Sequence, residues 1–149
     1  MLSCYDVARY FLAQIDEEAG DLISNMKLQK LVYYAQGVNL ALYDRLLFPE
    51  SIEAWTYGPV VPELFHTYKS YETGAIPPPR DMDFSIYDSQ NRELLNEVYT
   101  VFGQFSAWML SSMTHDEPPW KNTPTGHKIS SDILRDYFKT QWIAPNGQS

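Results

Sequence analysis

Three adjacent polar residues, His115, Asp116 and Glu117, are the cluster in this sequence that most resembles a metal site. Imidazole nitrogens and carboxylate oxygens are common ligands of zinc and other divalent metals. Adjacent residues, however, rarely converge on one ion, and the end of a helix normally collects such polar groups. The other histidines, His66 and His127, lie far away, and no H-E-x-x-H spacing occurs. We therefore expect a structural or solvent-facing role for this cluster, and no metal or other cofactor.

The lone cysteine, Cys4, is the second candidate for catalysis, as a nucleophile. A reactive thiolate needs a stabilising environment and a partner base, and the sequence supplies neither. The motifs G-x-x-x-x-G-K-[ST], G-x-G-x-x-G and G-x-S-x-G are also absent, so phosphate loops and hydrolase elbows lack support. The sequence predicts a protein that is not an enzyme. A small hydrolase or metalloenzyme that uses the cluster at 115–117 stays open as an alternative.

Two lysines, a glutamine and paired tyrosines lie among leucines in residues 24–37, SNMKLQKLVYYAQG. Leu28 and Leu31 recur at helical spacing and mark a face that should point to the core. Lys30 and Tyr34, four residues apart, share one side of such a helix. Two interpretations remain open: the lysine stems and tyrosine rings cover the edge of the core with their polar ends in water, or they form part of a binding site.

A second stretch, AWTYGPVVPELF at 54–65, combines large aromatic residues with a rigid Gly-Pro turn that leads into a helix N-terminus. Such a terminus carries free N–H groups, and aromatic residues beside a turn are typical of interfaces. The simpler alternatives are a tight strand-to-helix joint and a Lys30 pinned to an internal carboxylate such as Glu53 or Glu63. On the binding hypothesis, a groove that accepts an extended peptide or acidic group is formed by Lys30, Tyr34, Tyr57, Gly58, Pro59 and Val60.

Helical periodicity and capping residues predict the elements that position these side chains. We expect helices at about 4–18, 26–43, 60–71 and 131–142, an apolar helical stripe over 95–109 that Gly103 can interrupt, and a short strand in SIEAW at 51–55. Ser106 is able to cap a second segment, and THDEPPW should stop it. The proline-rich stretch 72–83 reads as a linker. The predicted fold is mainly α: a compact single-domain bundle of about five to six helices, with a small β element near 47–57.

Composition limits the partners that this chain is expected to have. Its 149 residues suit a single domain over 1–149, and 44% apolar content is enough to build a core. The formal net charge of −8 disfavours nucleic acid and anionic membranes and favours a basic partner. No apolar stretch approaches the roughly 20 residues that cross a bilayer. The lone cysteine and the lack of a signal-peptide pattern predict a cytoplasmic protein.

The stretch MKLQKLVYYAQGVNLALYDRLLFPESIEAWTYGPVVPELFHTY, residues 26–68, resembles the signature of the Panacea domain. This is a SocA-like antitoxin family that also includes phage-associated GepA-type proteins. FSAWMLSSMTHDEPPW at 105–120 is similar to the distal motif of that family, and residues 129–138 resemble its closing helix. The resemblance therefore covers nearly the whole chain. Its structural motif residues, which we expect in the core, are Leu28, Leu31, Trp55 and Trp120.

The resemblance implies an antitoxin that neutralises a partner toxin by direct protein contact and that can be paired with toxins of unrelated types. It implies no catalytic residues. One member of the family also delivers its toxin to the ClpXP protease, so a proteolytic adaptor is the alternative within the binding class. The expected partner is a basic toxin encoded next to this protein.

The acidic charge generates a first prediction about partner capture. Because a field of −8 should steer a basic toxin, we expect association to slow when salt is raised. The useful range is the one over which the Debye length falls from about 10 Å to about 3 Å. Stopped-flow association kinetics measure this effect directly. Rates that do not change with salt would show that the charge only keeps the protein dissolved.

Overall fold

The fold is organised around α2 (Asn25–Tyr43), a helix whose side chains are buried on almost every side. The computed structural model describes residues 1–16 and 18–142 of the chain. That part contains seven α-helices and one two-stranded antiparallel sheet, which confirms the predicted mainly α fold with a small β element. The other elements are α1 (Cys4–Ala13), β1 (Glu53–Trp55), β2 (Gly58–Val60), α3 (Pro62–Thr67), α4 (Ser89–Phe102), α5 (Ala107–His115), α6 (Pro118–Lys121) and α7 (Ser131–Trp142).

Local sequence signals set both ends of α2. Ser24 is the N-cap, and its side-chain oxygen accepts a hydrogen bond from the backbone N–H of Lys27. Asp44 ends the helix in the left-handed conformation, with a φ of 55°. Helices α1, α4, α5 and α7 pack around α2, together with β2. The prediction of a helix at 26–43 is confirmed, and so are the core positions of Leu28 and Leu31.

Five polar side chains of α2 are buried. In a helix with one face in water, such side chains would lie on that face. The five are Asn25, Gln29, Lys30, Gln36 and Asn39. One of the two interpretations left open by the sequence placed the polar ends of the lysines and tyrosines of this helix in water. For Lys30, Tyr33 and Tyr34 that interpretation is wrong, because other elements cover those faces as well as the apolar one.

The buried amides of α2 hold neighbouring loops in place. Gln36 Nε2 donates to the carbonyl oxygen of Phe48 at 2.8 Å, and Gln36 Oε1 accepts from the N–H of Leu47 at 2.7 Å. Gln29 Oε1 accepts from the N–H of Val61 at 2.9 Å. Each amide thus satisfies backbone groups that would otherwise be buried without a partner.

The two strands form a hairpin in which Glu53 pairs with Val60 and Trp55 pairs with Gly58. Residues 56–57 make the turn. Gly58 has a φ of 120°, a conformation that residues with a Cβ rarely adopt. The β element therefore extends to residue 60, beyond the predicted range of 47–57. Val60 is the last residue of β2. The helix that was predicted at 60–71 therefore begins only at Pro62.

The outer edge of β1 is paired with the segment 126–129, which connects α6 to α7. The N–H of Ala54 donates to the carbonyl of His127 at 3.0 Å, and the N–H of Gly126 donates to the carbonyl of Ala54 at 2.6 Å. The N–H of Ile129 donates to the carbonyl of Ile52 at 2.8 Å. This segment thereby adds to the small sheet and holds the part of the chain that leads into α7 against the hairpin.

Several helix boundaries differ from those predicted. The first helix ends at Ala13 rather than near residue 18, and α3 ends at Thr67 before a separate 3-10 turn at Lys69–Tyr71. The predicted interruption at Gly103 and cap at Ser106 are confirmed, because they separate α4 from α5. A short helix, α6, lies where only a stop was expected. Within the described residues, none of the helices is both long and apolar enough to cross a bilayer.

Close packing of α7 against α2 depends on Gly37. A Cβ built on Gly37 would lie 2.2 Å from Cε2 of Phe138, which is inside van der Waals contact. A glycine-to-alanine change usually stabilises a helix by about 1 kcal/mol. Here we expect Gly37→Ala to lower the free energy of unfolding by about 1–3 kcal/mol, because the two helices must separate. Urea denaturation measures the change.

The matched test is the double variant Gly37→Ala with Phe138→Leu. If the steric account is correct, the two changes together cost less than the sum of the single changes, because the smaller side chain leaves room for the new methyl group. A Gly37→Ala variant as stable as the parent would contradict this account.

Candidate functional site

A cavity of about 400 Å³ opens between the hairpin, the first half of α2, and α3. Its lining residues are Met26, Gln29, Lys30, Trp55, Thr56, Tyr57, Val60, Phe65, Thr125 and Gly126. The opening is bordered by the exposed residues of the hairpin turn and of the segment 125–126. Of the residues predicted to bind a partner, Lys30, Tyr57 and Val60 line this cavity. Gly58 and Pro59 do not line it and are buried in β2.

Lys30 supplies the charge in this cavity. Its side chain is only 1% exposed, yet its Nζ makes no hydrogen bond or ion pair with any other residue of the described chain. The alternative in which Lys30 is pinned to Glu53 or Glu63 is therefore wrong. A Cβ on Gly58 would lie 2.6 Å from Lys30 Cε, so a glycine is needed for the lysine to lie along the hairpin. Burial lowers the pKa of Lys30 to about 8.

Trp55 and Phe65 form an aromatic wall of the cavity. Their ring centroids are 5.2 Å apart in an edge-to-face arrangement. Trp55 Nε1 donates to a carboxylate oxygen of Glu53 at 2.9 Å, and Trp120 Nε1 donates to the backbone oxygen of Trp55 at 2.7 Å. Both indoles are only half-buried, and of the two Trp120 packs against the core, whereas the expectation that Trp55 lies in the core is wrong. Each indole uses its N–H to fix the structure around the hairpin and keeps part of its ring accessible.

Tyr34 does not belong to the cavity, contrary to the predicted groove. Its ring is 1% exposed and stacks on Phe102, with centroids 3.8 Å apart and planes inclined by 6°. Its hydroxyl donates to a carboxylate oxygen of Glu117 at 2.8 Å. Tyr34 lies one helical turn beyond Lys30, and there Phe102 of α4 and Phe138 of α7 pack against its ring. Tyr34 therefore has a structural role.

Glu117 is at the centre of this second, closed cluster. Its two carboxylate oxygens accept one hydrogen bond each from the hydroxyls of Tyr33 and Tyr34, both at 2.8 Å. Burial raises the pKa of Glu117 to about 7, although the two hydrogen bonds act in the opposite direction. The sequence analysis expected a solvent-facing or structural position at this helix end, and the structural role applies. The partners of Glu117 were missed because they lie more than eighty residues away.

The neighbours of Glu117 point elsewhere. Asp116 is exposed, whereas the His115 ring packs against Trp120 with centroids 4.2 Å apart. His115 Nε2 also lies 3.2 Å from the backbone oxygen of Thr56. The three residues 115–117 therefore do not converge on one point. In residues 1–16 and 18–142, no group of three or more His, Cys, Asp or Glu side chains is placed to hold a metal ion.

Cys4 is completely buried at the start of α1. Burial, together with the negative charge of Glu50, raises the pKa of the Cys4 thiol to about 12. The backbone N–H of Cys4 donates to a carboxylate oxygen of Glu50 at 2.9 Å. The thiol is thus protonated at neutral pH and closed to substrates, which are unsuitable conditions for a nucleophile.

Two aromatic residues are strongly exposed, one in the hairpin turn that lines the cavity and one in α5, and we call Tyr57 and Trp108 the aromatic edge. Tyr57 is 62% exposed and Trp108 is 78% exposed. Ser111, one helical turn after Trp108 in α5, donates its hydroxyl to the backbone oxygen of Tyr57 at 2.6 Å. This bond joins α5 to the hairpin turn. The sequence analysis named Tyr57 but not Trp108, which lies outside the apolar stripe of that region.

The site is a mostly apolar cavity with one buried lysine, on a small helical scaffold. Comparison with known proteins identifies the family of this scaffold. The family described as "Antitoxin SocA-like, Panacea domain" matches residues 28–121, and the chain belongs to this family. Antitoxin SocA of Caulobacter vibrioides (strain NA1000 / CB15N) is 30% identical in an alignment that covers 82% of this chain and 75% of that protein. No solved structure matches the chain.

The buried carboxyl of Glu117 generates a prediction about pH. Its pKa is raised in the folded state, so the folded protein binds more protons than the unfolded chain between pH 4.5 and about 7. Stability contributed by this group is therefore largest below pH 4.5 and is lost as pH rises through about 7. The expected loss is about 3 kcal/mol, from roughly 1.4 kcal/mol per pKa unit.

Urea denaturation from pH 5 to pH 8 tests this expectation. Glu117→Gln should remove most of the fall in stability relative to the parent, because the amide does not titrate. Glu93→Gln, which changes an exposed glutamate in α4, is the matched control and should follow the parent curve. Identical pH profiles for the parent and Glu117→Gln would contradict a raised pKa at this position.

Proposed function

We propose that this protein is an antitoxin that neutralises a partner toxin by direct protein-protein contact and without catalysis. The observation that carries the proposal is membership of the SocA-like Panacea family, together with the similarity to Antitoxin SocA along most of the chain. The closed thiol of Cys4 and the scattered directions of residues 115–117 are in keeping with a non-catalytic role. The proposed unit of function is one domain spanning residues 1–149.

The aromatic edge supports contact with a protein. Tryptophan and tyrosine are enriched among the residues that contribute most to binding energy at interfaces. A tryptophan that is 78% exposed leaves a large apolar surface in water, and a partner would cover it favourably. Tyr57, one member of the edge, lines the cavity that contains Lys30, so a partner that covers Tyr57 also reaches this cavity.

The partner is proposed to be basic and to be encoded next to this protein. A net charge of −8 attracts a positively charged surface and opposes binding to nucleic acid or to an anionic membrane. The lone cysteine is buried and free, which suits the reducing cytoplasm as the place of contact.

Neutralisation can proceed by sequestration or by delivery of the toxin to a ClpXP-type protease. The amount of toxin in cells separates the two routes. Sequestration leaves the toxin level unchanged or higher when this protein is co-expressed. Delivery lowers the toxin level, and deletion of the protease restores it.

Co-expression with the adjacent reading frame, followed by co-purification, tests the proposal. That reading frame should be toxic without this protein and harmless with it. We expect Trp108→Ser and Tyr57→Ser each to weaken the complex by about 2 kcal/mol, or roughly thirtyfold in affinity, while the melting temperature stays near that of the parent. Titration calorimetry and thermal unfolding measure the two quantities.

Ile86→Ser is the matched control, because Ile86 is 46% exposed and lies beside Leu2 and Arg45, away from the hairpin. This variant should bind as the parent does. The proposed surface would be wrong if Ile86→Ser weakened binding as much as Trp108→Ser. The proposed function would be wrong if neither the adjacent gene product nor any other toxin were neutralised.

A further inference from the structure

The ammonium of Lys30 differs from the other buried polar groups of α2. The amides of Asn25, Gln29, Gln36 and Asn39 all take part in hydrogen bonds within the protein. Lys30 is equally buried and has no partner in the described chain. Burying a charge without a partner is costly, so such a group calls for an explanation.

Lys30 is one of the residues that line the cavity. No side-chain nitrogen or oxygen in the described residues is both completely closed to solvent and without a hydrogen bond. The Lys30 Nζ therefore keeps a small contact with solvent. Burial lowers the pKa of Lys30, and no acidic neighbour contributes to that shift.

The remainder of the lining is mostly apolar. Met26, Trp55, Val60 and Phe65 contribute hydrophobic side chains. Gln29 is a polar member of the lining, and its side chain is already bonded to Asn25 and to the N–H of Val61. An occupant that fits this chemistry combines one negative charge with an apolar group.

We propose that the cavity receives the carboxy-terminal end of a partner polypeptide, with the terminal carboxylate on Lys30 and an apolar last side chain against Trp55 and Phe65. Charge complementarity selects the carboxylate, because a buried ammonium with no internal partner gains most from an anion that enters with it. Where the partner is the toxin, this inference rests on the proposed antitoxin function.

A chain end fits the cavity better than the other sources of a carboxylate. A small inorganic anion would reach Lys30 but leave the aromatic wall in water. An internal aspartate or glutamate would bring a negative charge without an apolar group, and its backbone would have to pass both into and out of the opening. A cavity of about 400 Å³ also lies in the range of roughly 300–1,000 Å³ that is typical of pockets for small organic ligands. A terminal residue has that size and chemistry.

The test uses short peptides as probes and needs no toxin. Acetyl-Ala-Ala-Phe with a free carboxylate is compared with the same peptide carrying a terminal amide, with acetyl-Ala-Glu-Ala-amide and with sodium acetate. Binding is followed by NMR, from the shift of the Trp55 indole N–H. We expect the free acid to bind at about millimolar affinity and at least tenfold more tightly than each of the other three probes.

Variants of two lysines complete the experiment. Lys30→Met should reduce binding of the free acid to the level of the amide. Lys128→Met removes an exposed positive charge from the segment beside the opening and should leave binding unchanged. The comparison of acid with amide uses the parent protein, so it remains valid even if Lys30→Met folds poorly.

Four results would each overturn the inference. The first is no shift of the Trp55 indole N–H with about 10 mM free acid, and the second is equal binding of the acid and the amide. The others are binding of acetate or of the internal glutamate peptide as tight as that of the free acid, and binding of the free acid that survives Lys30→Met in a folded protein. Failure here would leave the antitoxin proposal intact, because no toxin is involved. Full neutralisation by a folded Lys30→Met variant that no longer binds the peptide would show that the toxin does not use this pocket.

Discussion

The burial of α2 on almost every side is the constraint on which the rest of the structure depends. Such a helix has to satisfy its polar side chains internally, because each buried polar group without a partner costs about 1–3 kcal/mol. Gln29 and Gln36 meet this requirement by bonding to the backbone of neighbouring loops. The same bonds fix the path of the chain on both sides of the hairpin. The core and the position of the cavity are therefore consequences of one helix.

The cavity is a gap in the layer of elements that surrounds α2. The other buried polar groups of the helix meet protein partners, whereas Lys30 meets the gap. The glycine at position 58 contributes to this arrangement, since any larger residue would collide with the lysine stem. A rigid hairpin thus holds an exposed tyrosine on its outer side and leaves space for a charged side chain on its inner side.

Sequence patterns were sufficient for features that depend on neighbouring residues. The cap at Ser24, the interruption at Gly103 and the cap at Ser106 follow from local chemistry and were predicted. The role of Tyr34 was not, because periodicity identifies the most apolar face of a helix and cannot show that other elements cover the remaining faces. The bond from Tyr34 to Glu117 depends on a contact between distant parts of the chain. Of the cavity lining, the sequence analysis named only Lys30, Tyr57 and Val60 as members of a groove.

The pairing of β1 with the segment 126–129 restricts how another protein can approach the hairpin. A partner that adds a strand to a sheet needs an open edge with free N–H and C=O groups. One edge of this sheet is occupied by the segment 126–129, and β2 is buried against α2 and α5 on the other side. A partner of the kind proposed above would therefore have to contact the hairpin through side chains. Such contact would place few demands on the backbone of that partner.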